Sequence, residues 1–327
     1  MERRWLFPVI AVGLALAATV VLAEVGLRLV RPTPRVQIVR AGVLTELDPG
    51  EVAGDDVPLW RTSFDDPRHN EACLEDNPGA RVWVVLGSSI LAADGLAPSA
   101  AFNLALQERL RPELGPLCIL NLAEGGYTFD NQLAVAREAI PRLEPELVLW
   151  EVWENSPFRW AMVGGHAYRF QHVAVGADGL PNPMGVPSAV HRTLFSRSRL
   201  YEYSVLALVE RPADAASDPW NSLLDDRLDE ARALVEAYGE LVVVFAPHLD
   251  MPFEERIAAR EARTSPLDRH YADVEQWARG RGVESVYLDV LLRDLDVTDV
   301  RLDPCCHYNV EGHLALADRF ATWWSRR

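Results

Sequence analysis

The sequence predicts an α/β protein: a three-layer α/β/α sandwich around a central parallel sheet of about five strands, preceded by an apolar N-terminal helix. Three observations predict it. Short runs rich in Val, Leu and Ile alternate with segments of helical periodicity through the C-terminal three quarters of the chain. Such alternation places parallel strands in one sheet with helices on both faces. The chain has 327 residues, 49% hydrophobic and 24% charged, enough for one large domain or two small ones. The N-terminus carries a long run without charge. The net charge of -16 repels phosphate backbones, which excludes nucleic acid as a partner class.

The elements follow in order. Met1-Glu2-Arg3-Arg4 precedes Trp5 to Ala23, nineteen uncharged residues. A helix of that length reaches roughly 28 Å, close to the ~30 Å hydrocarbon core of a bilayer. Residues 1–30 are therefore expected to be a short cytoplasmic stub and a single transmembrane anchor. Arg3 and Arg4 favour a cytoplasmic front end, while Arg28, Arg31 and Arg35 on the far side count against it. The alternative is a signal peptide cleaved after export, since small residues lie in the segment ALAATVVLAEVG. Residues 31–80, with several Pro, Asp and Glu and only short apolar runs, read as a membrane-proximal connector.

From residue 81 the periodicity settles. Val82–Leu86, LCILNLA, PELVLWEVW, ELVVVFAPH and VESVYLDV read as five strands. PSAAFNLALQERLRP, TFDNQLAVAREAIPRL, LLDDRLDEARALVEAYG, DRHYADVEQWARGRG and the closing EGHLALADRFATWWSRR read as helices, with Thr128 or Asp130 placed to cap the second. Residues 157–225 interrupt the alternation as an insertion, a lid or substrate wall in its functional reading and an irregular surface excursion in its plain one. Within it YRFQHVAVGADGLPNP suits a hairpin turning at Asp178-Gly179.

Four short stretches carry the chemistry. Gly87-Ser88-Ser89 ends the first strand, where glycine allows a tight turn and a following helix offers free N–H groups. A serine placed there is exposed and rigid, and becomes nucleophilic once a base takes its proton. Asn121 to Thr128 ends the second strand, and its Gly125-Gly126 pair brings bare backbone to the same edge. Asn155 follows the third strand and carries an amide able to face an oxyanion. His307 stands just before the closing helix, with Asp303 four residues upstream to orient its imidazole. Cys305, Cys306 and His307 are all metal-ligand types, but their adjacency does not match the usual ligand spacing. Those two cysteines read as packing residues or part of a disulfide, and the pairing among Cys73, Cys118, Cys305 and Cys306 stays open. His313 reads as structural.

In this order the four blocks resemble the SGNH hydrolases, the GDSL esterase/lipase family, over about residues 81–327. The family's Gly-Asp-Ser block reads Gly87-Ser88-Ser89 here, so the nucleophile position falls on Ser89 and the aspartate position on Ser88. Its second block corresponds to Asn121 and Gly126. Its Gly-x-Asn-Asp block corresponds to Trp153-Glu154-Asn155-Ser156, which keeps only Asn155. Its Asp-x-x-His block corresponds to Asp303 and His307 with one residue more between them, and YNVEGH resembles the usual continuation. The resemblance implies a flavodoxin-like sandwich and a carboxylic ester hydrolase. Ser89 would be the nucleophile and His307 the base. The acid would be Asp303, with Asp299 or a Ser-His dyad as alternatives. The oxyanion hole would be Ser89, Gly126 and Asn155. No metal or organic cofactor is implied. An anchor before such a domain fits bacterial envelope enzymes acting on carbohydrate or lipid esters, with the domain outside the cytoplasm. Two alternatives remain: an acyltransferase using the same site, and an inactive member of the fold that binds glycan or scaffolds a complex.

Overall fold

The computed structural model describes residues 3–30, 36–40, 43–46, 67–93, 95–125, 127, 129–153, 159–163, 166–170, 184–209, 222–303 and 305–327. In chain order the elements are α1 (Arg3–Val30), β1 (Val36–Arg40), β2 (Val43–Glu46), α2 (Ala72–Asp76), β3 (Arg81–Leu86), α3 (Ser89–Ala92), α4 (Phe102–Leu114), β4 (Leu117–Asn121), α5 (Phe129–Leu143) and β5 (Leu147–Val152). There follow β6 (Arg159–Val163), β7 (His166–Phe170), α6 (Ser188–Arg197), α7 (Arg199–Val209), α8 (Ser222–Glu236), β8 (Glu240–Phe245), α9 (Phe253–Glu261) and α10 (Pro266–Arg281). The chain closes with β9 (Glu284–Tyr287), α11 (Leu288–Leu291), α12 (Val297–Val300) and α13 (Val310–Trp324). Two units divide it: Met1–Asp55 with Arg159–Ser217, and Asp56–Phe158 with Asp218–Arg327.

The second unit holds a five-stranded sheet in the order β4-β3-β5-β8-β9, and every neighbouring pair is parallel. Parallel strands buried on both faces need near-continuous apolar sequence. β4 and β5 are buried at every position, and β8 at all but its first. Side chains alternate between faces along each strand. Trp83, Val85, Ile119, Leu149 and Val244 share one cluster with Phe102 of α4 and Phe320 of α13. Trp150, the next residue after Leu149, stacks on Phe129 of α5 with centroids 5.1 Å apart. Helices therefore cover both faces, as the alternation predicts. Full burial of each such large side chain contributes about 1.5–3 kcal/mol, which makes this sheet the main source of stability in the unit.

The chain moves outward from β3 to β4, then returns past β3 to β5. The direction of winding thus reverses at β3, and in open sheets of this order ligands bind beyond the carboxyl ends of the strands at that point. Ser89 follows β3 there.

Three details differ from the sequence reading. The fifth strand stops at Tyr287, where the chain turns directly into α11. The first helix begins as a 3-10 turn at Pro98–Ala100 before α4 takes over. Helix α9 was not foreseen, because nine residues give too few turns for a decisive period. Cys73 of α2 is bonded to Cys118 of β4, closing a loop across a separation of 45 residues.

The first unit contains an antiparallel sheet in the order β2-β1-β6-β7. Strands β1 and β2, from the segment read as a connector, pair with each other, and β1 pairs with β6 from the insertion. The hairpin β6–β7 closes between Val163 and His166. The turn expected at Asp178-Gly179 lies outside the described residues. Glu24 of α1 accepts hydrogen bonds from the Ser198 hydroxyl at 3.0 Å and from the backbone N–H groups of Arg199 at 3.0 Å and Leu200 at 2.9 Å. A carboxylate in that position satisfies the open N–H groups at the start of α7. Among the described residues no helix is long and apolar enough to cross a membrane. The side chains of most of the first half of α1 lie outside the described residues.

Candidate active site

The site is built from the carboxyl end of β3 outward. Val82 to Leu86 need a buried strand, and Gly87 ends it under a specific demand. A Cβ at Gly87 would lie 2.6 Å from Glu151 Oε2, so no other residue fits without displacing that carboxylate. Ser88 then caps α3 in extended conformation, its hydroxyl accepting from the Ile90 N–H at 3.4 Å. Ser89 is the first residue of α3.

This four-residue helix is pinned at both ends. At its C-terminal end the Asn121 amide donates to the Leu91 carbonyl at 2.8 Å, and Arg68 donates to the Ala93 carbonyl at 2.7 Å. Asn121 Oδ1 in turn accepts from the Ala123 N–H at 3.0 Å. Asn121, matched to the second motif block, therefore braces the helix that carries Ser89. At the N-terminal end Glu151 accepts from the Ser88 N–H at 3.1 Å and from the Ser88 hydroxyl.

Ser89 and His307 meet although 218 residues separate them: Ser89 Oγ lies 2.8 Å from His307 Nε2. His307 Nδ1 is bonded to Asp303 Oδ2. An imidazole that accepts from Ser89 at Nε2 carries its proton on Nδ1, which it donates to Asp303. The other carboxylate oxygen, Asp303 Oδ1, accepts from the backbone N–H groups of Cys305 at 2.9 Å, Cys306 at 3.0 Å and His307 at 3.3 Å. The Leu302 N–H closes the loop onto the His307 carbonyl at 2.7 Å. The extra residue between acid and histidine is absorbed in this closed loop. Asp303 thus occupies the acid position, and Asp299 does not contact the imidazole. Partial burial pushes the Asp303 carboxyl upward, but the bonds from His307 and from the Cys306 and His307 backbone outweigh it and hold it near about 2. It is an anion at every working pH.

Cys305 and Cys306 are joined to each other. Their sulfurs and an Asp303 oxygen lie within 4.8 Å of one another, but the sulfurs are committed to the disulfide and Asp303 to His307. His313 is buried in α13. Gly126 and Asn155, the expected oxyanion donors beside the Ser89 N–H, lie outside the described residues.

Sequence reading missed Glu151. It is completely buried on β5, with no arginine or lysine among the hydrogen-bond partners that hold it. Burying an ionised carboxylate costs several kcal/mol, while each hydrogen bond to a charged group returns about 1.5–3 kcal/mol. Here burial outweighs the bonds. Burial raises its pKa to about 7, against the opposing bonds from the Ser88 side chain and backbone and the Leu91 backbone, and the attraction of His307. The signal was present in LVLWEVW: a lone charge inside a strand buried on both faces needs a reason.

No family model and no curated relative matches the chain. Solved structures do. TesA matches at 14% identity over 76% of this chain and 98% of its own, with a TM-score of 0.43. A member of the lipolytic protein G-D-S-L family from Veillonella parvula DSM 2008 matches at 11% over 76% and 100%, with a TM-score of 0.43. Axe2, an acetylxylan esterase from Geobacillus stearothermophilus, matches at 15% over 74% and 93%, with a TM-score of 0.42. At these identities no residue role passes from them to this chain, and the functional reading rests on the site itself.

Proposed function

We propose that this chain is a serine carboxylic ester hydrolase of SGNH type, held to a membrane by α1 with its catalytic unit outside the cytoplasm. The observation that carries the reading is the 2.8 Å contact between Ser89 Oγ and His307 Nε2, with Asp303 on the far side of the imidazole. His307 takes the Ser89 proton as Oγ attacks the ester carbonyl, and Asp303 stabilises the imidazolium that forms. The Ser89 N–H, the Gly126 N–H and the Asn155 amide are assigned to the oxyanion. Collapse expels the alcohol, which takes the proton from His307, and water then releases the acyl group by the same route. The substrate class we assign is a small acyl ester of envelope carbohydrate, with a lipid ester as the alternative.

Hydrolysis of p-nitrophenyl acetate tests the chemistry. Ser89→Ala should lower kcat by three or more orders of magnitude while far-UV circular dichroism stays unchanged. Equal activity in wild type and variant would remove Ser89 as the nucleophile. Product analysis with a sugar acceptor present separates hydrolysis from transfer. The anchor is supported by the uncharged run Trp5 to Ala23 within the 28-residue helix α1. Full-length chain expressed in bacteria should stay in the membrane fraction after alkaline carbonate washing. Recovery in the soluble fraction would overturn the anchor.

A further inference from the structure

Glu151 is a buried titratable group that the mechanism above does not use. It sits on β5 beside β3, at the point where the winding of the sheet reverses, and directly behind the nucleophile's turn. Its oxygens accept from the N–H and hydroxyl of Ser88, the residue before Ser89, and the Leu91 backbone bonds to it as well. Gly87 has no side chain at the one place where a Cβ would strike it. The turn is therefore shaped around this carboxylate. Resting on the serine hydrolase reading, we propose that Glu151 is a positioning residue for Ser89. Its ionised carboxylate clamps the Ser88 N–H and hydroxyl and adds a second negative charge behind the imidazolium of His307.

The surroundings allow the charge to act on His307. The titratable groups coupled to Glu151 are His307, on the loop before α13, Tyr271 of α10 and Tyr308. Burial holds both phenols well above their ordinary range, so they stay neutral. Tyr271 also feels Asp289 and Arg256, and the charge of His307 favours the ionised form of Glu151. Loss of the proton from Glu151 therefore favours the imidazolium that forms when Ser89 attacks. Protonation reverses this and forces the Ser88 hydroxyl to reorient, because a carboxylic acid donates where the carboxylate accepted.

The test is the pH dependence of kcat/KM on p-nitrophenyl acetate for wild type, Glu151→Gln and Glu151→Asp. Wild type requires His307 neutral and Glu151 ionised, so log kcat/KM should climb on its acid side with a slope approaching two. Glu151→Gln should reduce the slope to one and lower kcat about 10- to 100-fold, with KM changed less than threefold. Glu151→Asp keeps the charge and should keep the steeper slope at an intermediate kcat. A wild-type slope of one, which needs no variant to fold, overturns the inference. So does a folded Glu151→Gln with wild-type kcat and slope. Wild type that neither hydrolyses the ester nor is labelled at Ser89 by a fluorophosphonate overturns the hydrolase reading, and this inference with it. Labelling of Ser89 in a chain whose profile lacks the second ionisation overturns this inference alone.

Discussion

Two regions of the second unit bring a carboxylate to the same sheet edge, and they treat it in opposite ways. The loop before α13 holds Asp303 partly in solvent, with His307 and three backbone N–H groups on its oxygens. The end of β5 holds Glu151 fully buried, with the Ser88 hydroxyl and N–H on its oxygens. The loop acid gains enough partners to remain charged under all working conditions. In the strand acid burial outweighs the hydrogen bonds and raises the pKa to about 7, so its charge depends on pH. Elsewhere in the unit, buried carboxylates are given arginines: Arg256 pairs with Asp268, and Arg260 with Asp289. The contrast teaches that chain position sets the partners available. A loop can wrap its own N–H groups around an anion, whereas a strand interior has already committed its backbone to the sheet.

The sharpest way to break the comparison is Asp303→Asn. The amide keeps the shape but accepts less strongly at Nδ1 and favours the wrong imidazole tautomer. kcat should fall about 10²- to 10⁴-fold, equivalent to roughly 3–5 kcal/mol of transition-state stabilisation. This is a larger loss than that expected for Glu151→Gln, because Asp303 bonds to the His307 imidazole and Glu151 only to the residue before Ser89. Steady-state kinetics on p-nitrophenyl acetate measures both. A smaller loss for Asp303→Asn than for Glu151→Gln would exchange their roles.

The same contrast explains what was legible in the sequence. The loop acid announces itself, because Asp303, His307 and the following helix are contiguous, and local spacing suffices to bring them together. Ser89 is legible for the same reason, as the second residue after a strand and a glycine. Its meeting with His307 follows from the sheet, since both stand at carboxyl ends or just before the last helix. Glu151 is illegible by spacing. Its partner lies 63 residues away, just past the end of a neighbouring strand, and only the β3–β5 register brings the two together. Non-local pairing hid the β1–β6 ladder and the Cys73–Cys118 bond in the same way. The extra residue in the Asp-to-His spacing cast doubt on Asp303 because a one-residue insertion in a loop changes no pattern. Only the closed turn from Leu302 to His307 shows how it is accommodated.

The smallest effect is the most diagnostic, because its sign differs between the two acids. Asp303 is lowered from 3.8 to about 2, so its contribution to stability is present above pH 3.8 and lost as pH falls to about 2. Glu151 is raised from 4.5 to about 7, so its contribution is fully present below pH 4.5 and lost as pH rises to about 7. Each proton changes stability by at most about 1.4 kcal/mol per pH unit within its window. Solvent screening makes the Asp303 slope the shallower of the two, since its side chain is 37% exposed. Urea unfolding across about pH 2 to 8 resolves both windows when each variant is compared with wild type. Glu151→Gln has no proton to lose, so its stability relative to wild type should improve steadily from pH 4.5 to 7 and then level off. Asp303→Asn should show a constant deficit above pH 4 that narrows below it. A flat difference for Glu151→Gln from pH 4.5 to 7 would mean that this carboxylate titrates as an ordinary one. In that case the strand would be giving its acid what the loop gives Asp303, and the distinction between the two regions would disappear.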